Sequence, residues 1–250
     1  MEAIEQPPLF MLPGIPAHVT YTWLVMVLLT VLAFAASRNL QLVPHGLQNF
    51  MELVLEQFLA MLDEVIGHGG RRYLPLIGTL GLFILASNLL GLVPGLMAPT
   101  SNLNTTAACA IIVFLTYHWI GIKKQGLVSY LRHLGGPIVW LAPLMFVIEI
   151  FSHLARPLSL SVRLFGNMMG GHILLAVMFL LTGFDGLIGW LLTGKRMALL
   201  MGLPGAALLV VFTAGFLLPL KLFVAFLQSF IFCMLSVLYI AGAVEEAEHH

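Results

Sequence analysis

Apolar residues run through the chain in long blocks, broken at intervals by short polar clusters, and the lengths of the blocks predict its elements. The first block, 20–36, is about the minimum needed to cross a hydrocarbon core some 30 Å thick. Arg38 closes it. Residues 46–66 follow another rhythm: Asn49, Glu52, Glu56 and Asp63 fall on one side of a helix, and Phe50, Leu53, Val54, Phe58, Leu62 and Val65 on the other. That is an amphipathic helix lying on the membrane or against a partner rather than crossing. Spans at 74–97 and 106–122 flank a Pro/Asn/Thr turn at 98–105. The last two blocks, 138–182 and 204–244, lack a soluble loop and would each extend about 60 Å as a helix at about 1.5 Å per residue. They must tilt or break. Pro157 and Pro219 are the natural kinks, each freeing a backbone carbonyl four residues back. The pattern predicts an all-α integral membrane protein forming a single membrane domain over 1–250. It has about five membrane-embedded helices plus the amphipathic surface helix.

Composition strengthens this reading. The chain is 60% hydrophobic and only 9% charged, far more apolar than a soluble domain. Its net charge is zero, so no basic excess points to nucleic acid. Cys109 and Cys233 both sit in apolar runs and read as small core residues, without a disulfide framework. The N-terminus lacks the basic region of a cleaved signal peptide, so the first span is expected to remain in the mature protein. With the N-terminus outside, Arg38, Arg71, Arg72, Lys123, Lys124 and Arg132, six of the eleven Lys and Arg, fall on the inner side. Positive charge concentrates inside, which sets the orientation. Lys195 and Arg196, in the outer connection, run against that rule.

Ionisable groups inside the apolar blocks carry the candidate chemistry. Arg163 is the most demanding of them, because a mid-membrane Arg costs about 2.5–3.5 kcal/mol and cannot shed its proton. Glu149, His153, Arg156, Ser159, Arg163 and Asn167 recur every three or four residues, a polar stripe on one helical face if Pro157 only kinks the helix. His172 follows in the same block. Lys221, Gln228, Ser229 and Ser236 occupy the next. Lys221 and Gln228 share a face, which places Gln228 to hydrogen-bond Arg163. Such groups mark an ion pathway. His118, beside Tyr117 and Trp119, reads as interfacial, and Gly166, Gly170 and Gly171 as a place of close helix approach. No phosphate-binding G-x-x-x-x-G-K-[ST], H-E-x-x-H or paired C-x-x-C is present. No cofactor, structural metal or ATP hydrolysis by this chain is expected.

Arg-Leu-Phe-Gly-Asn-Met-Met-Gly-Gly-His (163–172), preceded by Glu149 and Arg-Pro-Leu-Ser (156–159), resembles the core of subunit a of the F-type ATP synthase. Asn-Leu-Leu-Gly-Leu-Val-Pro-Gly (88–95), Pro-Thr-Ser-Asn-Leu-Asn-Thr-Thr (99–106) and Leu-Gln-Ser-Phe-Ile-Phe (227–232) resemble further segments of that family in the same order. The resemblance implies a non-catalytic, proton-translocating stator subunit whose last two helices form a steeply tilted hairpin against a ring of c-subunit proteolipids. A b-subunit peripheral stalk and, indirectly, the F1 catalytic head would be its other partners. It further implies a multi-pass protein of the bacterial cytoplasmic (inner) membrane, N-terminus outside and C-terminus inside. Two offset half-channels would meet the ring, with Arg163 as the barrier between them. Asn167 and Gln228 would stand near that barrier, Glu149 and Ser159 on the inner path, His172 and Lys221 on the outer one. The outer pair departs from the family pattern, which places an acid and a histidine where this chain has two bases. Asp185 is then the candidate for the missing acid. Two other classes make different demands: a secondary transporter would show inverted repeats, and a haem enzyme would need His pairs facing across helices, which His118, His153 and His172 are not expected to form.

Overall fold

A computed structural model describes residues 13–38, 40–93, 95–127, 130, 142–182, 205 and 207–245. The elements are α1 (Ala17–Ser37), α2 (Leu47–Val65), a 3-10 turn (His68–Tyr73) running into α3 (Leu74–Leu90), a short 3-10 turn (Pro99–Ser101), α4 (Leu103–Gln125), α5 (Ala142–Thr182), a π-helical turn (Thr213–Leu217) and α6 (Leu218–Glu245). Among the described residues there is no strand, and five helices are long and apolar enough to cross a membrane. Residues 1–12, Arg132, Asp185, Lys195, Arg196 and the terminal residues 246–250 lie outside the described residues.

Local chemistry explains where the helices start and stop. Asn102 caps α4, its side chain accepting from the Asn104 N–H at 2.9 Å, so the helix starts three residues before the apolar block does. Gly126, at φ 82°, supplies the left-handed residue that ends it. Helix α3 stops at Leu90, short of 97, because Gly91 follows, Pro94 offers no N–H, and Gly95 turns the chain at φ 86°. Helix α5 runs unbroken through Pro157. At Pro219 the answer is different: the π-helical turn lies immediately before it, and its wider spacing re-routes backbone hydrogen bonds where the ring removes a donor.

Helices α3, α4, α5 and α6 enclose two apolar clusters. Leu62 of α2 joins Ile77, Tyr117, Ile120, Cys233, Val237 and Ile240 in one. Ile84, Cys109, Ala110, Val113, Leu160, Leu164 and Phe232 form the other. Both cysteines are free and buried. Polar contacts stitch α3 to α6: Asn88 Nδ2 donates to the Ala225 carbonyl at 3.3 Å, Ser229 Oγ to Gly81 O at 2.8 Å and Cys233 Sγ to Ile77 O at 3.9 Å. In an apolar medium such bonds join helices that gain little from burying more apolar surface. At Gly81 a Cβ would stand 2.6 Å from Cys233 Sγ, so this seam closes only on glycine. Helix α2 rests on the first cluster through Phe58, Met61, Leu62 and Val65 while Phe50 and Leu53 remain exposed. The outward faces of α5 and α6 expose Leu154, Leu158, Val162, Phe223, Phe226 and Phe230, a surface suited to lipid or to an apolar partner.

Candidate functional site

Helix α5 carries most of the ionisable groups at three levels. At the middle level, Arg163 is exposed between the buried Leu160 and Leu164, and its Nη2 donates to Ser159 Oγ, one turn earlier, at 3.4 Å. Asn167 Nδ2 donates to Gln228 Oε1 at 2.7 Å, bridging α5 to α6. The expected Gln228–Arg163 bond is replaced by this one. Gln228 is buried and its carbonyl oxygen is taken by Asn167, whereas Arg163 stands on the exposed side. Helical period gives the face a residue occupies, but not the axial offset between two helices. A guanidinium exposed on the same side of α5 as Ser159, Gly166 and Asn167 is a fixed charge presented outward from the bundle.

Toward the N-terminal end of α5, His153 faces α4. Its Nδ1 is 3.1 Å from the Tyr117 hydroxyl, its Nε2 is 3.4 Å from Glu149 Oε1, and its ring stacks on Tyr117 with centroids 5.8 Å apart. Arg156 places its guanidinium over Tyr117 and over Tyr239 of α6, at 5.9 and 5.4 Å, cation–π contacts that join three helices. Arg156 is therefore part of the packing and does not simply end the helix. His118 packs with Phe114 and Tyr117, its Nδ1 3.0 Å from the Phe114 carbonyl. It also meets His153 edge to face at 5.0 Å. These two histidines do face each other from adjacent helices, against expectation, yet perpendicular rings that close cannot flank a porphyrin.

Toward the C-terminal end of α5, His172 and Lys221 come near the same turn. A Cβ on Gly91 would be 2.9 Å from His172 Nε2 and 2.6 Å from Ala98, and one on Gly171 would be 2.9 Å from Lys221 Cε. The segment after α3 therefore packs over His172. Asn88 holds it there: its Oδ1 accepts from Thr100 Oγ1 at 2.7 Å while its Nδ2 reaches α6. Lys221 Nζ is buried with no hydrogen-bond partner among the described residues. Of the three glycines expected to allow close approach, only Gly171 does so among the described residues; a Cβ at Gly166 or Gly170 would meet none of them within 4 Å. Sequence reasoning missed Asn88, Thr100 and Tyr117 as partners of these levels. Asn88 and Thr100 sit inside recognisable segments, but nothing in the order of residues marks Tyr117 as the companion of a histidine 36 positions away.

Comparison with known proteins gives a consistent answer. A family model described as ATP synthase A chain matches residues 19–241. The chain is 45% identical over 240 residues to ATP synthase subunit a 1 of Pelobacter propionicus, covering 96% of this chain and 93% of the relative. It is 47% identical over 229 residues to ATP synthase subunit a of Geobacter sulfurreducens, covering 92% and 88%. With ATP synthase subunit a 1 of Syntrophotalea carbinolica it shares 46% identity over 234 residues, covering 94% and 88%.

Proposed function

Because this multi-pass membrane chain belongs to the ATP synthase subunit a family, we propose that it is the stationary, non-catalytic proton-conducting subunit, with Arg163 as the barrier between two half-channels. The observation that carries this reading is the Arg163 guanidinium, exposed beside Ser159, Gly166 and Asn167 on the outward side of the apolar helix α5. A proton-carrying carboxylate on a rotating proteolipid ring is the partner such a face suits. The permanent charge favours the ionised carboxylate as it passes and repels a proton moving straight across. Ser159 steadies the guanidinium from one side. The Asn167–Gln228 bond fixes α5 against α6 one turn away, so that the charge is presented in a constant position.

Protons from outside reach the ring past His172 and Lys221, whose buried ammonium, without a partner among the described residues, requires polar company of the kind a hydrated path supplies. After a turn of the ring they leave past Ser159 and Glu149 to the inner phase. The driving force is the proton-motive force, whose electrical part is about 2.3 kcal/mol per charge per 100 mV. A b-subunit peripheral stalk holds the chain still, and the F1 head receives the rotation. The host membrane is the bacterial cytoplasmic membrane, with the N-terminus outside and the C-terminus inside. Isolation of the complex in mild detergent tests this assembly: a proteolipid ring and stalk subunits should co-purify. Recovery of the chain alone, while it retains proton conduction, would contradict it.

A further inference from the structure

Ser159 and Glu149 stand ten positions apart on the helix, about 15 Å of rise at about 1.5 Å per residue, too far for one hydrogen bond or one bridging water. Arg156 lies in the gap but cannot release a proton, and its guanidinium is engaged by the rings of Tyr117 and Tyr239. His153 is the other ionisable group there. It stands about 9 Å along the helix from Ser159 and about 6 Å from Glu149, with Nε2 toward Glu149 and Nδ1 toward Tyr117. The groups facing it are Glu149 and Arg156 on its own helix, and Tyr117 and His118 on α4; Tyr239 of α6 completes the wall behind Arg156.

From this geometry we infer that His153 is a further proton-exchanging residue of the inner path, held in a single tautomer by the Tyr117 hydroxyl. The inference rests on the inner path proposed above. Nδ1–H donates to the Tyr117 oxygen and keeps its proton throughout. Nε2 alone cycles: its lone pair takes an arriving proton to give the imidazolium, then passes that proton to the Glu149 carboxylate, which releases it to the inner phase. The ring returns to its starting state, and Tyr117 neither gains nor loses a proton. Tyr117 is a positioning residue. Were its hydroxyl absent, the proton on Nδ1 would be free to move to Nε2, the nitrogen that must stay open.

The test uses the intact complex in vesicles, comparing ATP-driven pumping and, after removal of the head, passive proton uptake over a pH series around neutrality, where imidazole exchanges protons. His153→Gln keeps hydrogen-bonding capacity but cannot cycle a proton. It should lower both rates about threefold to tenfold, short of the roughly 10²-fold or more expected of an indispensable acid–base group, and should flatten their pH dependence. Glu149→Gln added to it should cause little further loss, because the two act in series. Tyr117→Phe, which removes one oxygen and leaves the ring packing, should lower both rates by a smaller factor, and it serves as the deciding variant if His153→Gln does not assemble. Wild-type rates and pH profile in the assembled His153→Gln complex, or in Tyr117→Phe where that variant decides, would overturn the inference. Arg163→Ala measured alongside separates the two levels: if it pumps, the underlying path is wrong. If it fails while His153→Gln is normal, only the role of His153 is lost.

Discussion

At the scale of single residues, the molecule differs from the expected pattern most on the outer path, where His172 and Lys221 are both bases. Two bases near one turn repel when both are charged, so a path through them works best with His172 neutral and Lys221 charged. An acid at Lys221 would restore the usual pairing of acid and histidine. Lys221→Glu should therefore keep passive proton uptake in head-stripped vesicles within about twofold of wild type, a change below 1 kcal/mol. His172→Leu should depress uptake while leaving assembly intact. Normal uptake in assembled His172→Leu would move the path elsewhere, with Asp185 the next group to substitute. On the proposed inner path, Glu149 is exposed to a degree that His153 is not, the two side chains being 42% and 12% accessible. If Glu149 shares proton release with water and neighbouring serines, Glu149→Gln should slow ATP-driven pumping without stopping it. Pumping at the wild-type rate across mildly acidic to mildly alkaline pH would make Glu149 structural.

Elements set the positions of these residues, and the seam between α3 and α6 matters most. Asn88 bonds Ala225 of α6 with its nitrogen and Thr100 with its oxygen, so one amide holds both a neighbouring helix and the segment packed over His172. Asn88→Ala leaves the Thr100 hydroxyl and the Ala225 carbonyl without their side-chain partner. A cost of about 1–3 kcal/mol follows for stranding buried polar groups. It should appear as a lower temperature of thermal dissociation of the complex, accompanied by slower proton uptake because the packing over His172 loosens. Unchanged values of both would remove Asn88 from the account. Much of this level was legible in the order of residues. Block length gives the long membrane helices, and the split of polar and apolar positions in 46–66 gives α2. The stop at Leu90, where the span was expected to reach 97, and the π-helical turn before Pro219 were not read, although glycine and proline chemistry explains both. Pairings across helices were not legible. The choice of Asn167 rather than Arg163 as Gln228's partner depends on how far one helix is shifted along another, and that shift is set by side-chain packing such as Gly171 against Lys221. The His118–His153 contact was hidden for the same reason.

Across the whole molecule, the arrangement places a buried polar framework on one side and the exposed side of α5 that carries Arg163 on the other. Tyr117, Arg156 and Tyr239 tie α4, α5 and α6 together near the N-terminal end of α5, and Asn88 with Thr100 closes the level of His172. Arg163 is left between them on the outward face of α5. If that charge separates two half-channels, it must be permanent, planar and able to engage a carboxylate by more than one N–H. Arg163→Lys should fail along with Arg163→Ala, because an ammonium can give up its proton when desolvated and lacks the guanidinium fork. The most direct measurement is ATP-driven proton pumping by a fully assembled Arg163→Ala complex, with ring and stalk verified by co-purification. The account predicts no coupled pumping, with passive proton leak through the membrane at or above the wild-type level. Coupled pumping near the wild-type rate would contradict the charge-barrier role of Arg163.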